Sequence, residues 1–300
     1  MNLSVNIAGV TLKNPVVTAS GTFGSGFEYS EMTDLNKLGA VVTKGVANVP
    51  WEGNPTPRVA EVYGGMLNAI GLENPGVDVF IERDIPFLKK FDTRIIANVC
   101  GHSVEEYIET IEKLNETDVD MFEMNFSCPN VKQGAIAFGQ DPHVLEATAK
   151  AVKSASKKPV IIKLSPNVTS IKDMALAAEA GGADAISLIN TLIGMKIDIN
   201  KRSFCLANKT GGLSGPAIKP VAVRMVYQAA HAVNIPVIGM GGIRNAEDAL
   251  EFIMAGAAAV AVGAANFTDP YTTVKVIEGI ERYMKDNKVS SLKELVGCVG

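Results

Sequence analysis

Along this chain, short apolar runs alternate with longer stretches in which apolar residues return every three or four positions. The runs are 15–19 PVVTA, 40–44 AVVTK, 94–99 RIIANV, 120–125 DMFEMN, 159–164 PVIIKL, 184–189 DAISLI, 235–239 IPVIG and 258–262 AAVAV, eight in all. They are nearly continuous rather than alternating, which predicts strands covered on both faces, as in a parallel sheet. The intervening stretches predict helices over 103–115 and 216–233 and near 28–38, 78–90, 142–156, 170–180, 245–255 and 270–286. The first of these opens on Ser103 with Glu106 three residues later, the pattern of a capping box.

Strand–helix alternation through eight units predicts an α/β fold, specifically a (β/α)8 TIM barrel. A weak internal echo agrees: LGAVVTKG, GGADAISLI and AGAAAVAVG each run from glycine through small residues into a strand, and KPVIIK and IPVIG each enter one through proline. An open doubly wound sheet carries the same local signals. The barrel is preferred because all eight units fall in one chain without a linker or a break in composition, predicting a single domain over residues 1–300. LSVNIAGVTL predicts a short N-terminal hairpin closing the lower end. Two connections, 46–77 after the second strand and 190–215 after the sixth, are too long for ordinary loops. Both leave the C-terminal ends of strands, where barrel enzymes assemble their sites.

Composition narrows the functions open to such a barrel. Hydrophobic residues make up 47% of the 300, and a net charge of −4 leaves no basic face for a nucleic-acid backbone. The N-terminus lacks the charged and apolar regions of a signal peptide, and AGAAAVAVGAA is too short to span a bilayer. Cys100, Cys128, Cys205 and Cys298 lie far apart with no C-x-x-C pair, which argues against a zinc site, an iron–sulfur cluster or a disulfide framework in this chain. The expectation is a cytoplasmic protein with reduced thiols, in which the NFS sequon at 125–127 is irrelevant.

Polar groups collect at the strand ends: Ser20, Lys44, Asn98, the segment NFSCPN at 125–130, Lys163, and Asn190–Thr191. A lysine inside an apolar strand needs a partner, because an unpaired buried ammonium is costly. One such lysine could be structural, whereas two at equivalent heights point to an anionic or electron-rich ligand. Gly241–Gly242 and Gly263, ending the last two strands, sit where barrels cradle phosphate, although glycines also end strands simply because turns need them. Neither G-x-G-x-x-G nor a Walker A sequence occurs, which argues against a dinucleotide or ATP held by these loops. His102, His143 and His231 are expected at the surface or in packing. Cys128 falls at the mouth of the fourth strand, and a thiol there is either a usable base or an ordinary buried hydrophobe.

NFSCPNVKQGAIAFG, GGMLNAIGLENPG, ANKTGGLSGPAIKPVAVRMVY and IPVIGMGGI together resemble the class I dihydroorotate dehydrogenases nearly from end to end. The stretches VKQGAIAFG and LANKTGGLSGP resemble the NAD-linked B-type catalytic subunit rather than the fumarate-linked A-type. The N-terminal extension and serine base of the membrane-bound class II form are absent. The resemblance implies FMN at Ser20, Lys44, Gly45, Asn98, Asn125, Lys163, Ile189, Gly215, Gly241, Gly242, Gly263 and Ala264. It implies dihydroorotate at Lys44, at Asn68, Ala69, Ile70, Gly71 and Leu72, at Asn125 and Asn130, and at Asn190 and Thr191.

The resemblance also implies that Cys128, the catalytic base, takes the C5 proton while flavin N5 takes the C6 hydride, and that Lys44 and Lys163 offset the charge that develops. Ala264 departs from the hydroxyl residue many relatives carry, which removes a side-chain bond to phosphate but leaves the backbone N–H. For re-oxidation, the resemblance implies a separate electron-transfer subunit with FAD and a [2Fe–2S] centre that passes electrons to NAD+, around a homodimer of this chain in a heterotetramer. Residues 129–141 are expected to form a mobile lid. The rival readings are another FMN-barrel dihydropyrimidine oxidoreductase, a flavin-free aldolase or isomerase forming a Schiff base through Lys44 or Lys163, and a non-catalytic binding barrel.

Overall fold

The computed structural model describes residues 1–126 and 138–299. The chain opens with an antiparallel hairpin, β1 (Val5–Ile7) and β2 (Val10–Leu12), and then enters β3 (Val16–Thr18) and β4 (Ala40–Val42). A first excursion carries β5 (Val59–Val62) and β6 (Gly65–Asn68). Next come β7 (Arg94–Val99), β8 (Met121–Met124), β9 (Val160–Lys163) and β10 (Ala185–Leu188). A second excursion carries β11 (Leu192–Met195), β12 (Ile197–Asp198), β13 (Ser203–Phe204) and β14 (Thr210–Ser214). The chain then returns to β15 (Val237–Met240) and β16 (Ala259–Val262). Strands β3, β4, β7, β8, β9, β10, β15 and β16 close in that order into one barrel, so all eight predicted strands occupy it and the open sheet is excluded.

Helices cover the outside of the barrel where their periodicity places them. Ser103 accepts from Glu106 N to start Val104–Asn115, and Asp141, Ser170 and Asn245 cap three later helices in the same way. Three predicted helices are less regular. The 28–38 stretch is a single turn, Phe27–Ser30, and a separate tight turn, Leu35–Lys37, because the Asp34 side chain accepts from Asn36 N and starts afresh. The 78–90 stretch widens into a π turn over Phe80–Asp84, ahead of Pro86, which has no N–H to give the preceding turn. The 216–233 stretch begins as a tight turn at Pro216–Ile218 and continues as Lys219–Ala230.

Successive strand residues point to opposite faces, and here that alternation separates two cores. Val16, Val41, Ile95, Phe122, Val160 and Ile186 pack outward under the helices. Val17, Ala40, Ile96, Met121, Ile161, Ala185, Ile238 and Ala259, one from each barrel strand, fill the interior together with Ile7 and Leu12 of the hairpin. The hairpin is therefore an apolar plug in the lower mouth. Both of its core side chains are fully buried, each stabilising the fold by about 1.5–3 kcal/mol.

The two excursions form one structure. Strand β14 pairs with β11 on one side and β6 on the other, and β6 pairs with β5, giving an antiparallel four-stranded sheet in the order β11–β14–β6–β5. Sequence periodicity predicts two long loops and no joint sheet. Among the described residues, no helix is long and apolar enough to cross a membrane.

Candidate active site

Two positions beyond the apolar interior layer, the same inward-facing register turns polar. Ile96 is followed by Asn98, Met121 by Glu123, Ile161 by Lys163 and Ala185 by Ser187, all four polar residues being buried. Glu123 joins them. Its Oε1 accepts from Asn98 Nδ2 at 2.6 Å and lies 3.6 Å from Lys163 Nζ, and its Oε2 accepts from Ser187 Oγ at 2.8 Å. Lys163 Nζ also donates to Ser20 Oγ at 2.9 Å, tying β9 to the end of β3 across the barrel. The burial partner that Lys163 requires is thus largely internal, and removing one member of such a pair costs about 3–5 kcal/mol. Lys44 lies two residues past β4 rather than within it, half-buried at the rim.

Above this layer lies a cleft with two connected chambers. The smaller, of about 200 Å³, is lined by Lys44, Gly45, Asn68, Ile70, Gly71, Leu72, Asn98 and Asn125. Four asparagine amides line it, those of Asn68, Asn98, Asn125 and Asn190. Asn190 Nδ2 donates to Asn125 Oδ1 at 3.2 Å, Asn190 Oδ1 accepts from Thr191 N at 2.8 Å, and Asn68, on the joint sheet, donates to Gly212 O at 3.4 Å. The larger chamber, of about 740 Å³, runs from Ile189 past Gly215 to Gly241, Gly242, Gly263 and Ala264. Ser20, Lys163, Asn190 and Thr191 line both chambers.

Two observations bear on what the cleft accepts. Asn98 Oδ1 is buried and has no hydrogen-bond partner among the described residues. Gly45 would place a Cβ 3.2 Å from that oxygen, so glycine keeps the approach to it open. At the far end Gly242 has φ +81°, and a Cβ there would lie 2.8 Å from Lys219 Cβ and 2.9 Å from Gly215 O. Only glycine leaves that loop free to present its backbone. An N–H donor at one end and an anionic group at the other, as in FMN, fit this donor and acceptor set. Lys219, beside the loop, loses charge stability through burial. Its hydrogen bonds to Asp248 (2.7 Å) and Glu251 (2.5 Å) outweigh that loss and hold its ammonium above the ordinary lysine pKa.

Of the predicted site residues, the structure brings nearly all to this cleft. Ala69 is the exception: its side chain is buried with Leu67 and Leu206, its N–H bonds to Arg58 O, and its carbonyl accepts from Asn54 Nδ2. Cys128 and Asn130 lie outside the described residues, as does most of the predicted lid. The described end of that lid is anchored, Phe138 packing near Tyr107 and Phe126 while Asp141 caps the next helix. Tyr107 also donates to Asn125 O at 2.9 Å, so one ring braces both flanks of 127–137. None of the three histidines lines the cleft; His102 packs at a tilt against Trp51, and His231 closes a helix end.

Sequence reasoning missed Met66 and Ser214, whose place depends on the pairing of the two excursions, and Phe267, which follows the last strand. It also missed Glu123, although a carboxylate in the apolar run MFEM is the same signal that singled out Lys163.

The family model for dihydroorotate dehydrogenase matches residues 2–284. The chain is 69% identical to the dihydroorotate dehydrogenase B (NAD(+)) catalytic subunit of Lachnoclostridium phytofermentans over the whole of both chains. It is 63% identical to that of Alkaliphilus metalliredigens over 100% of this chain and 99% of the relative, and 56% identical to that of Geobacter sulfurreducens over 99% and 98%. A crystal structure of DHODH from Eimeria tenella in complex with ferulenol superposes with a TM-score of 0.81 at 22% identity, over 99% of this chain and 88% of that one. That likeness speaks for the (β/α)8 fold. The chain belongs to the dihydroorotate dehydrogenase family, in its class I B-type branch, and is an oxidoreductase.

Proposed function

We propose that this chain is an FMN-binding catalytic subunit that oxidises (S)-dihydroorotate to orotate in UMP biosynthesis in the cytoplasm. Its electrons then leave for NAD+ through a partner subunit carrying FAD and a [2Fe–2S] centre, around a homodimer of this chain. The observation that carries the reading is the paired cleft: a small amide-lined chamber opening into a larger one that ends on glycine loops. A flat ring with carbonyls and N–H groups suits the first, and a phosphate-bearing cofactor suits the second.

Asn68, Asn125 and Asn190 suit dihydroorotate because amides both donate and accept without competing for its proton. Lys44 at the rim pairs with the carboxylate, and Ile70 through Leu72 close the small chamber. Asn98, Lys163, Ser20 and Gly45 would hold the ring end of FMN, while Ile189, Gly215, Gly241, Gly242, Gly263 and Ala264 would line the course to its phosphate. FMN, when bound, supplies the acceptor for the C6 hydride. The C5 proton passes to the thiolate of Cys128, leaving the C5–C6 double bond of orotate. In the sequence Cys128 follows by three residues Asn125, which lines the small chamber.

The test is the visible spectrum of the purified protein, followed by anaerobic dihydroorotate and then by fumarate, NAD+ or a quinone, with and without a co-purified partner. The expected result is a yellow protein that bleaches with dihydroorotate and turns over with NAD+ only when the partner is present. A colourless preparation that FMN does not colour would overturn the reading.

A further inference from the structure

Glu123 is a buried carboxylate to which the reaction above gives no role. It stands on β8 with its side chain 2% exposed, and both of its oxygens are engaged by other members of the polar layer. A carboxylate only accepts, so it decides how its neighbours face. Because Asn98 turns Nδ2 to Glu123, its Oδ1 faces away as the buried acceptor without a partner among the described residues. Because Lys163 lies 3.6 Å from Glu123 Oε1 and donates to Ser20, its ammonium is fixed at the junction of the two chambers. The pair Lys163–Glu123 is also close to neutral, so the cleft feels a dipole there rather than a whole positive charge.

We propose that Glu123 is a positioning residue that fixes Asn98 as an acceptor and Lys163 as a donor, and that it holds down the reduction potential of the bound flavin by cancelling the charge of Lys163. The inference rests on the FMN reading above. A reduced flavin carries more negative charge than an oxidised one, so an uncompensated ammonium nearby favours reduction and a carboxylate behind that ammonium opposes it. Glu123→Gln separates charge from shape. Its amide oxygen still accepts from Asn98, and its NH2 donates to the Ser187 hydroxyl.

The experiment is an anaerobic redox titration of FMN in the purified protein, in wild type, Glu123→Gln, Lys163→Met and the double variant. Glu123→Gln is expected to shift the flavin equilibrium toward the reduced form by about tenfold, about 30 mV more positive for a two-electron couple. Lys163→Met is expected to shift it the opposite way, and the double variant, which loses both charges, to lie close to wild type. An unchanged or more negative potential in Glu123→Gln, or an unchanged or more positive one in Lys163→Met, overturns the proposal.

If Glu123→Gln fails to retain flavin, retention by the charge-keeping Glu123→Asp and by the double variant supports it, since an unpaired ammonium is then the fault. Loss in all three variants overturns it in favour of a purely structural carboxylate. A wild-type protein without bound FMN would instead sink the underlying function.

Discussion

The two ends of this barrel use one set of inward-facing positions for opposite purposes. At the lower end Ile96, Met121, Ile161 and Ala185 meet Ile7 and Leu12 of the hairpin in a buried apolar layer. One pleat higher, the same strands present Asn98, Glu123, Lys163 and Ser187. No change of fold separates them, only two residues of strand. Substitutions below are therefore expected to read in stability and substitutions above in chemistry, and each prediction tests that division.

The largest effect is expected above. Cys128→Ala should keep FMN while slowing its reduction by dihydroorotate about 100- to 10,000-fold, the range of a lost general base. Anaerobic stopped-flow absorbance measures it, and an unchanged rate would remove Cys128 from the role. Below, Leu12→Ala should cost about 2–5 kcal/mol in urea unfolding, because it opens a cavity in the plug. Its holoenzyme should reduce flavin at the wild-type rate, and a parallel fall in rate would break the comparison between the two ends.

The smallest effect concerns Lys219. Its folded pKa is raised, so its contribution to stability is whole below the unfolded lysine value and disappears as pH rises through the higher folded one. Lys219→Met should flatten part of the alkaline decline in melting temperature above about pH 10. A decline identical to wild type would show that its pairs with Asp248 and Glu251 add nothing.

The barrel was legible because its strands are buried on both faces and so stand out as unbroken apolar runs. The cleft was legible where a polar residue interrupts such a run, as at Asn98 and Lys163, and Glu123 could have been found by the same rule. The joint sheet was not. Its strands are short, partly exposed and rich in glycine at Gly65, Gly211 and Gly212, so no periodicity marks them. Their partners lie far apart in the chain, and Met66 and Ser214 enter the cleft only through that pairing. Nucleic acid is set aside by net charge, zinc by cysteine spacing and glycosylation by the N-terminus, whereas Cys128 takes its role from family resemblance, since a thiol at a strand end is chemically ambiguous.

The seam between β6 and β14 carries a consequence for the order of events during synthesis. Asn68 and Gly212, which bond across it, are 144 residues apart. At about 5–20 residues per second, a nascent chain carries β6 for about 7 to 30 seconds before β14 exists to meet it. Until then Asn68 is paired with Val59 of β5 alone, and the edge that faces β14 has no strand to meet. Completion of the cleft is thereby deferred until the chain has passed residue 214, and a ribosome-arrested fragment ending before residue 210 would carry six of the barrel strands yet lack the roof of its own site.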